Sequence, residues 1–93
     1  MILTFKCRDT ERSWDMEPVR RLPLEVQRAA RRKLVMLDAA QGVQDLRMPP
    51  GNRLEALKGD RAGQYSIRVN DQFRLCFVWN GRNAEDVELV DYH

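Results

Sequence analysis

The sequence predicts an α+β fold, with two N-terminal helices packed on a mostly antiparallel sheet of four to five strands. Three observations carry that expectation. Val26, Ala30, Leu34 and Leu37 recur at spacings of four, four and three, which makes one apolar stripe along a helix. In the second half the period becomes two. Tyr65, Ile67 and Val69 alternate with Gln64, Ser66 and Arg68, and Phe73, Leu75, Phe77 and Trp79 alternate with Arg74, Cys76 and Val78. Between those runs stands Asn70-Asp71-Gln72, whose Asn and Asp tolerate left-handed backbone and bond it locally, so the pair reads as an antiparallel hairpin. Helix first and strands afterwards is the α+β pattern. With 93 residues the chain makes a single domain, 1–93, because neither half would bury a core alone.

Taken in order, Ile2 to Cys7 alternates Leu3, Phe5 and Cys7 against Ile2, Thr4 and Lys6, a first strand with one apolar face. Asp9 or Thr10 suits an N-cap, and Glu11 to Met16 a short helix carrying Trp14 inward. Glu17-Pro18 breaks it. Pro23 belongs in the first turn of the longer helix, where a missing N–H costs nothing. Gly42 stops that helix, Val43 to Leu46 adds a turn, and Met48-Pro49-Pro50-Gly51 makes a rigid connector. Leu54, Ala56 and Leu57 form a short strand. The loop Lys58-Gly59-Asp60-Arg61-Ala62-Gly63 follows, where two glycines supply conformational freedom. Asn80-Gly81-Arg82-Asn83 is a further turn, and Val87 and Leu89 alternate with Glu88 and Val90 in a last strand. The expected order is β-α-α-β-β-β-β.

Composition excludes several classes. The net charge of +2 is slight, so this is not a histone-like polycation, although Arg28, Arg31, Arg32 and Lys33 cluster on the long helix. One histidine and two separated cysteines leave no zinc constellation. No P-loop, dinucleotide-binding glycine pattern or nucleophile elbow occurs. The N-terminus becomes charged within six residues, so a secretory signal is not expected, and no run has the length of a membrane span. Reduced thiols in a cytoplasm fit Cys7 and Cys76, with burial as their ordinary role.

The chemistry concentrates in the strands and the tail. With large apolar side chains inward, Arg68 and Arg74 share the outer sheet face, and Lys58 and Arg61 stand in the loop beside it. Surface charge paired with Asp60, Asp71 or Glu55 is the plain reading. Four cations at one face are also an anion site, able to stabilise the charge built on a phosphate under attack. Arg28, Arg31 and Arg32 offer a solvated helix face or, functionally, contact with an RNA backbone. Asp91-Tyr92-His93 ends the chain with three proton-handling groups: a histidine near neutral pKa, a tyrosine that donates or stacks, and an aspartate that orients.

The run NRLEALKGDRAGQYSIRVNDQFRLCFVW, the closing VELVDYH, the opening MILTFKCRDTE and the LDAA…LRMPPGNRLEAL segment together resemble the HigB toxins, within the RelE-like toxins of bacterial type II toxin–antitoxin systems. The combination of KGDR-G-Q-Y-SI, N-D-Q-F-R and terminal DYH is specific, and the likeness spans nearly the whole chain. It implies a RelE-like fold and a ribosome-dependent, metal-independent endoribonuclease that needs no cofactor. Such an enzyme cuts mRNA by attack of a 2′-OH on the adjacent phosphate. The resemblance carries active-site roles to Lys58, Arg74, Asp91, Tyr92 and His93, and favours RNA contact for the helix arginines without saying which; Arg61 and Arg68 are RNA-binding candidates from their place at the sheet face. Glu55 departs from the pattern, because some of these toxins have histidine there. Its carboxylate either serves as the general base, alone or shared with His93, or pairs with Lys58. Implied partners are the 70S ribosome, mRNA and a helix-turn-helix (HigA-like) antitoxin, with operator DNA reached only through the antitoxin complex. The rival reading is a non-catalytic module of the same fold that binds its antitoxin or RNA without cutting.

Overall fold

The computed structural model describes residues 1–92. Helix α1 (Arg8–Trp14) and helix α2 (Leu24–Ala39) come first, then 3-10 turns at Val43–Arg47 and Pro50–Asn52. Strand β1 (Glu55–Ala56), a one-turn helix at Gly59–Arg61, and strands β2 (Gln64–Arg68), β3 (Phe73–Trp79) and β4 (Ala84–Asp91) complete the order. The four strands make one antiparallel sheet in chain order. The expected α+β architecture is what the chain adopts.

One face of the sheet carries the core. Ala30, Leu34 and Leu37 from α2 are fully buried with Ile67, Leu75, Phe77 and Val87 from the strands. These are the residues that the periods of 3.6 and two assign inward. Each large apolar side chain so buried stabilises the fold by about 1.5–3 kcal/mol. The opposite face carries no helix, so Ser66, Arg68, Arg74 and Cys76 point away from α1 and α2. Gly59 and Gly63 adopt φ of 66° and 92°, as the loop between β1 and β2 requires.

Three boundaries differ from expectation, each for a local reason. Helix α1 begins at Arg8, and Thr10 is buried within it, accepting a hydrogen bond from Leu89 N–H at 2.9 Å; it ties the helix to β4 instead of capping. Asp9 pairs with Arg21, and Met16, at φ 63°, turns the chain beyond the helix. Strand β4 starts at Ala84, three residues before Val87. A bulge there shifts the register between Cys76/Glu88 and Val78/Glu85, with Asp86 left-handed at φ 52°. The extra residue breaks the alternation, so Ala84 and Val87 both face the core.

The same bulge decides the N-terminus. Instead of a regular strand, residues 1–7 make two isolated parallel bridges, Ile2 to Ala84 and Phe5 to Val87. The hydrogen bonds Leu3 N to Ala84 O and Lys6 N to Val87 O, at 2.8 and 3.0 Å, follow the three-residue step of the bulged strand. Ile2 and Phe5 therefore lean on the core while Leu3 is exposed, reversing the expected face at that point. Pro23 sits one position before α2 as its cap, its carbonyl accepting from Val26 and Gln27 N–H.

Candidate active site

The hairpin turn sets the register of the open face. Val69 N–H donates to Phe73 O across Asn70–Gln72, and Asn70 Oδ1 accepts from Gln72 and Phe73 N–H at 2.8 Å. From that turn the pairing counts back to Arg68 opposite Arg74 and Ser66 opposite Cys76. Because Glu55 opposes Ser66 and Glu88 opposes Cys76, one transverse row crosses all four strands: Glu55, Ser66, Cys76, Glu88. Directly opposed residues share a face. Carboxylates thus end the row, and a buried hydroxyl and thiol make its centre.

Two arginines lie over this row. Arg74 Nε donates to Ser66 Oγ at 2.8 Å, and its Nη2 donates to Arg53 O at 2.7 Å and Ser66 O at 3.4 Å. Glu55 Oε1 stands 3.5 Å from the same Nη2. Arg53 itself is left-handed, with φ 46° and ψ 57°, which turns its carbonyl onto the guanidinium. Arg61 Nη1 donates to Glu88 Oε1 and Gln64 Oε1, both at 3.2 Å, at the other end of the row. Arg74 is largely covered and Glu55 is exposed, with side chains 13% and 60% accessible.

Tyr92 closes one side. Its ring lies under the Arg74 guanidinium at 6.0 Å to the centroid, and the Cys76 thiol donates to its phenol oxygen at 3.9 Å. Tyr92 N–H donates to Gln72 O at 2.7 Å, so the backbone at the end of β4 is tied to the β2–β3 turn. Burial pushes the Tyr92 phenol above its usual pKa, with Cys76 adding to the effect and Arg61 and Arg74 opposing it. Burial likewise raises the Cys76 thiol, so that it stays protonated as a donor. Asp91 is exposed beside the turn and accepts from Gln72 Nε2 at 3.0 Å.

The candidate residues divide accordingly. Glu55, Arg61, Arg74 and Tyr92 are gathered on one face. Glu55 approaches Arg74, not Lys58. Lys58 is exposed where the Gly59–Arg61 turn begins. Arg68, though opposite Arg74, is drawn to Asp71 at the hairpin. His93 lies outside the described residues. Arg28, Arg31 and Arg32 are elsewhere, on α2, lining a groove of about 450 Å³ with Val35 and Met36. Arg31 Nε donates to Trp14 O at 3.1 Å and its guanidinium covers the Trp14 ring at 5.3 Å, clamping α1 to α2. Ser66, Cys76 and Glu88 join the site although the sequence did not single out Ser66 or Glu88 and gave Cys76 only an ordinary buried role. For Ser66 and Cys76 the signal was the register counted back from the Asn70–Gln72 turn, while Glu88 is placed by the bulged pairing of β3 with β4.

Fold and face together define a small α+β protein in which helices back one side of a sheet and clamped arginines with a tyrosine occupy the other. A family model described as the RelE-like toxin of type II toxin–antitoxin system HigB matches residues 3–93. The Toxin HigB-1 of Vibrio cholerae is 49% identical over 80 residues, covering 85% of this chain and 84% of that one. An uncharacterized protein of Haemophilus influenzae is 36% identical over 69 residues, 74% of this chain and 68% of its own length. Among solved structures, a chain of the YoeB-YefM complex from Staphylococcus aureus superposes with TM-score 0.64 at 19% identity, covering 100% of this chain and 95% of that chain; at that identity the likeness is one of fold. The chain belongs to the HigB-like toxins, the RelE-like toxins of type II toxin–antitoxin systems.

Proposed function

We propose that this toxin is a ribosome-dependent endoribonuclease that cuts mRNA at the open sheet face. The observation that carries the reading is the Arg74 guanidinium, pinned through Nε and Nη2 and flanked by the Tyr92 ring. Nη1 has no hydrogen bond among the described residues. A fixed cation with one free edge beside an aromatic plane suits an RNA phosphate whose base stacks alongside.

In the reaction, a carboxylate or imidazole takes the proton from a 2′-OH, and that oxygen attacks the adjacent phosphorus. Arg74 and the exposed Lys58 stabilise the charge gathering on the non-bridging oxygens. The bond to the 5′ oxygen then breaks. A proton returns to that oxygen, leaving a 2′,3′-cyclic phosphate and a 5′-OH. Glu55, exposed and 3.5 Å from Arg74, takes the base role in this reading, and His93 is assigned the complementary proton transfer. Tyr92 stacks on a base and donates a hydrogen bond through its phenol, and Asp91 orients the tail. Arg61 and Arg68 hold the flanking backbone, while Arg28, Arg31 and Arg32, on the far side, meet ribosomal RNA.

A helix-turn-helix antitoxin is the proposed protein partner, in line with the system type of the family and with the two-protein complex that holds the fold neighbour. Operator DNA is reached through that complex, and the work is done in the cytoplasm. The test is primer extension on a defined mRNA with and without programmed 70S ribosomes. Cleavage with ribosomes alone, lost in Arg74→Ala, supports the reading. Cleavage of naked RNA removes the ribosome as scaffold. Absence of cleavage with folded protein and active ribosomes returns the chain to the binding-module alternative, in which Glu55 serves only to neutralise Arg74.

A further inference from the structure

We propose that Ser66 and Cys76 are positioning residues, a buried cross-strand pair that fixes how the Arg74 guanidinium and the Tyr92 phenol face the RNA. The inference rests on the nuclease reading for its consequence and on geometry for its content. Both residues are 0% exposed, although they belong to the sheet face that carries no helix. They are directly opposed across β2 and β3, and each lies beneath one functional side chain.

A buried hydroxyl needs a hydrogen-bond partner to offset its desolvation. Ser66 Oγ has one in Arg74 Nε, at 2.8 Å. With Nη2 held by Arg53 O and Ser66 O, two of the three guanidinium nitrogens are spoken for by the protein. The planar fork is then fixed in orientation, and Nη1 is the nitrogen left for a phosphate oxygen. Arginine is otherwise a long side chain with large rotamer entropy, and a fork free to swing loses its advantage in holding the transition state.

Cys76 performs the matching task for Tyr92. Its thiol donates to the phenol oxygen at 3.9 Å, which leaves the phenol's own proton to be directed elsewhere. The two tasks are linked by position, because Ser66 and Cys76 are neighbours at the centre of the row whose ends hold Glu55 and Glu88. A residue of small volume is required at both places. A side chain much longer than serine or threonine would compete with the arginine or the ring for the space above the sheet.

The experiment measures single-turnover cleavage on programmed ribosomes for Ser66→Ala, Ser66→Thr and Cys76→Ala, each also combined with Arg74→Ala or Tyr92→Phe. Ser66→Ala is expected to lower the saturating rate about tenfold, the scale of one lost oriented hydrogen bond to a charged group, with half-saturation within about twofold of wild type. Ser66→Thr, which keeps the hydroxyl, restores the rate to within about threefold. In the Arg74→Ala background Ser66→Ala changes nothing further, and Cys76→Ala, costing about threefold alone, is silent beside Tyr92→Phe. An equal loss from Ser66→Ala with or without Arg74 marks a merely structural residue and overturns the proposal, as does a wild-type rate in Ser66→Ala.

The second readout needs no catalysis. The Arg74 Nε–H resonance in ¹⁵N NMR is expected to be protected from exchange in wild type and in Ser66→Thr, and to lose about tenfold of that protection in Ser66→Ala. An unchanged Nε–H overturns the positioning role even if the protein cuts no RNA. Conversely, a protected Nε–H in a protein without cleavage sinks the nuclease reading and leaves the orientation of Arg74 intact.

Discussion

Two clusters of arginine occupy opposite sides of this molecule, and they are built differently. On α2, Arg28, Arg31 and Arg32 stand on the helix away from the buried stripe, and the one that is held, Arg31, is held by Trp14 for the sake of helix packing. On the sheet, Arg74 and Arg61 are each gripped by more than one acceptor, and the acceptors come from two strands and a connector. A helix presents its charges on flexible stems into water, whereas a sheet row brings backbone and side-chain acceptors up to a guanidinium from several directions. The first arrangement gives a field. The second gives a geometry, and geometry is what transition-state stabilisation needs.

The sharpest test of that contrast removes the gripped cation. Arg74→Ala is expected to lower single-turnover cleavage by about two to three orders of magnitude, the loss typical of one preorganised charge donor, and to lower the thermal midpoint as well, because buried Ser66 Oγ loses its partner. Arg74→Lys, which keeps the charge and discards the fork, should recover only a small part. Full recovery by lysine would show that field alone suffices.

Next in size is Tyr92. Base stacking is worth about 1–3 kcal/mol, so Tyr92→Ala should cost about 10- to 100-fold in cleavage, while Tyr92→Phe retains the stack and loses less. Equal losses in the two variants, measured at saturating ribosomes, would shift the role from ring to hydroxyl.

For the helix face the expected damage is to stability. Arg31→Ala removes a cation–π contact and a hydrogen bond, together about 1–2 kcal/mol, read from the denaturant midpoint. Its effect on cleavage should fall well below that of Arg74→Ala. Replacing Arg28 and Arg32 together should flatten the salt dependence of ribosome binding by one to two phosphate contacts in log–log slope. A loss of cleavage as large as that of Arg74→Ala would erase the distinction between the two clusters.

The smallest effect is a titration. Burial holds the Tyr92 phenol protonated above its ordinary value of 10. The folded state then keeps a proton that the unfolded chain releases, so stability falls as pH rises through the window above that value. Absorbance of tyrosinate should show one residue ionising late, and Tyr92→Phe should abolish that late step. The raised Cys76 thiol should, by the same burial, resist alkylation at neutral pH in the folded protein.

Much of the frame was legible in the residues. The stripe Val26, Ala30, Leu34, Leu37 and the alternation from Tyr65 to Trp79 assign the core face without ambiguity, because burial imposes a period on each kind of element. Arg74 and Tyr92 were legible as chemistry through the motifs that carry the family resemblance. The start of β4 and the path of residues 1–7 were not, since both follow a bulge at Asp86 that no local pattern announces.

The sequence by itself determined the fold class, the inward residues of α2 and of the β2–β3 hairpin core face, and the residue types available for phosphate chemistry. These depend on periodicity and side-chain identity, which are local properties of the chain. Only the tertiary structure decided that Glu55 faces Arg74 and not Lys58, that Arg68 turns to Asp71, and that Ser66 and Cys76 lie beneath the site. The placing of Glu55 rests on the β1–β2 register, and a carbonyl turned by the left-handed Arg53 helps hold the guanidinium it faces, whereas the Arg68 pair and the Ser66–Cys76 pair are made within the folded hairpin.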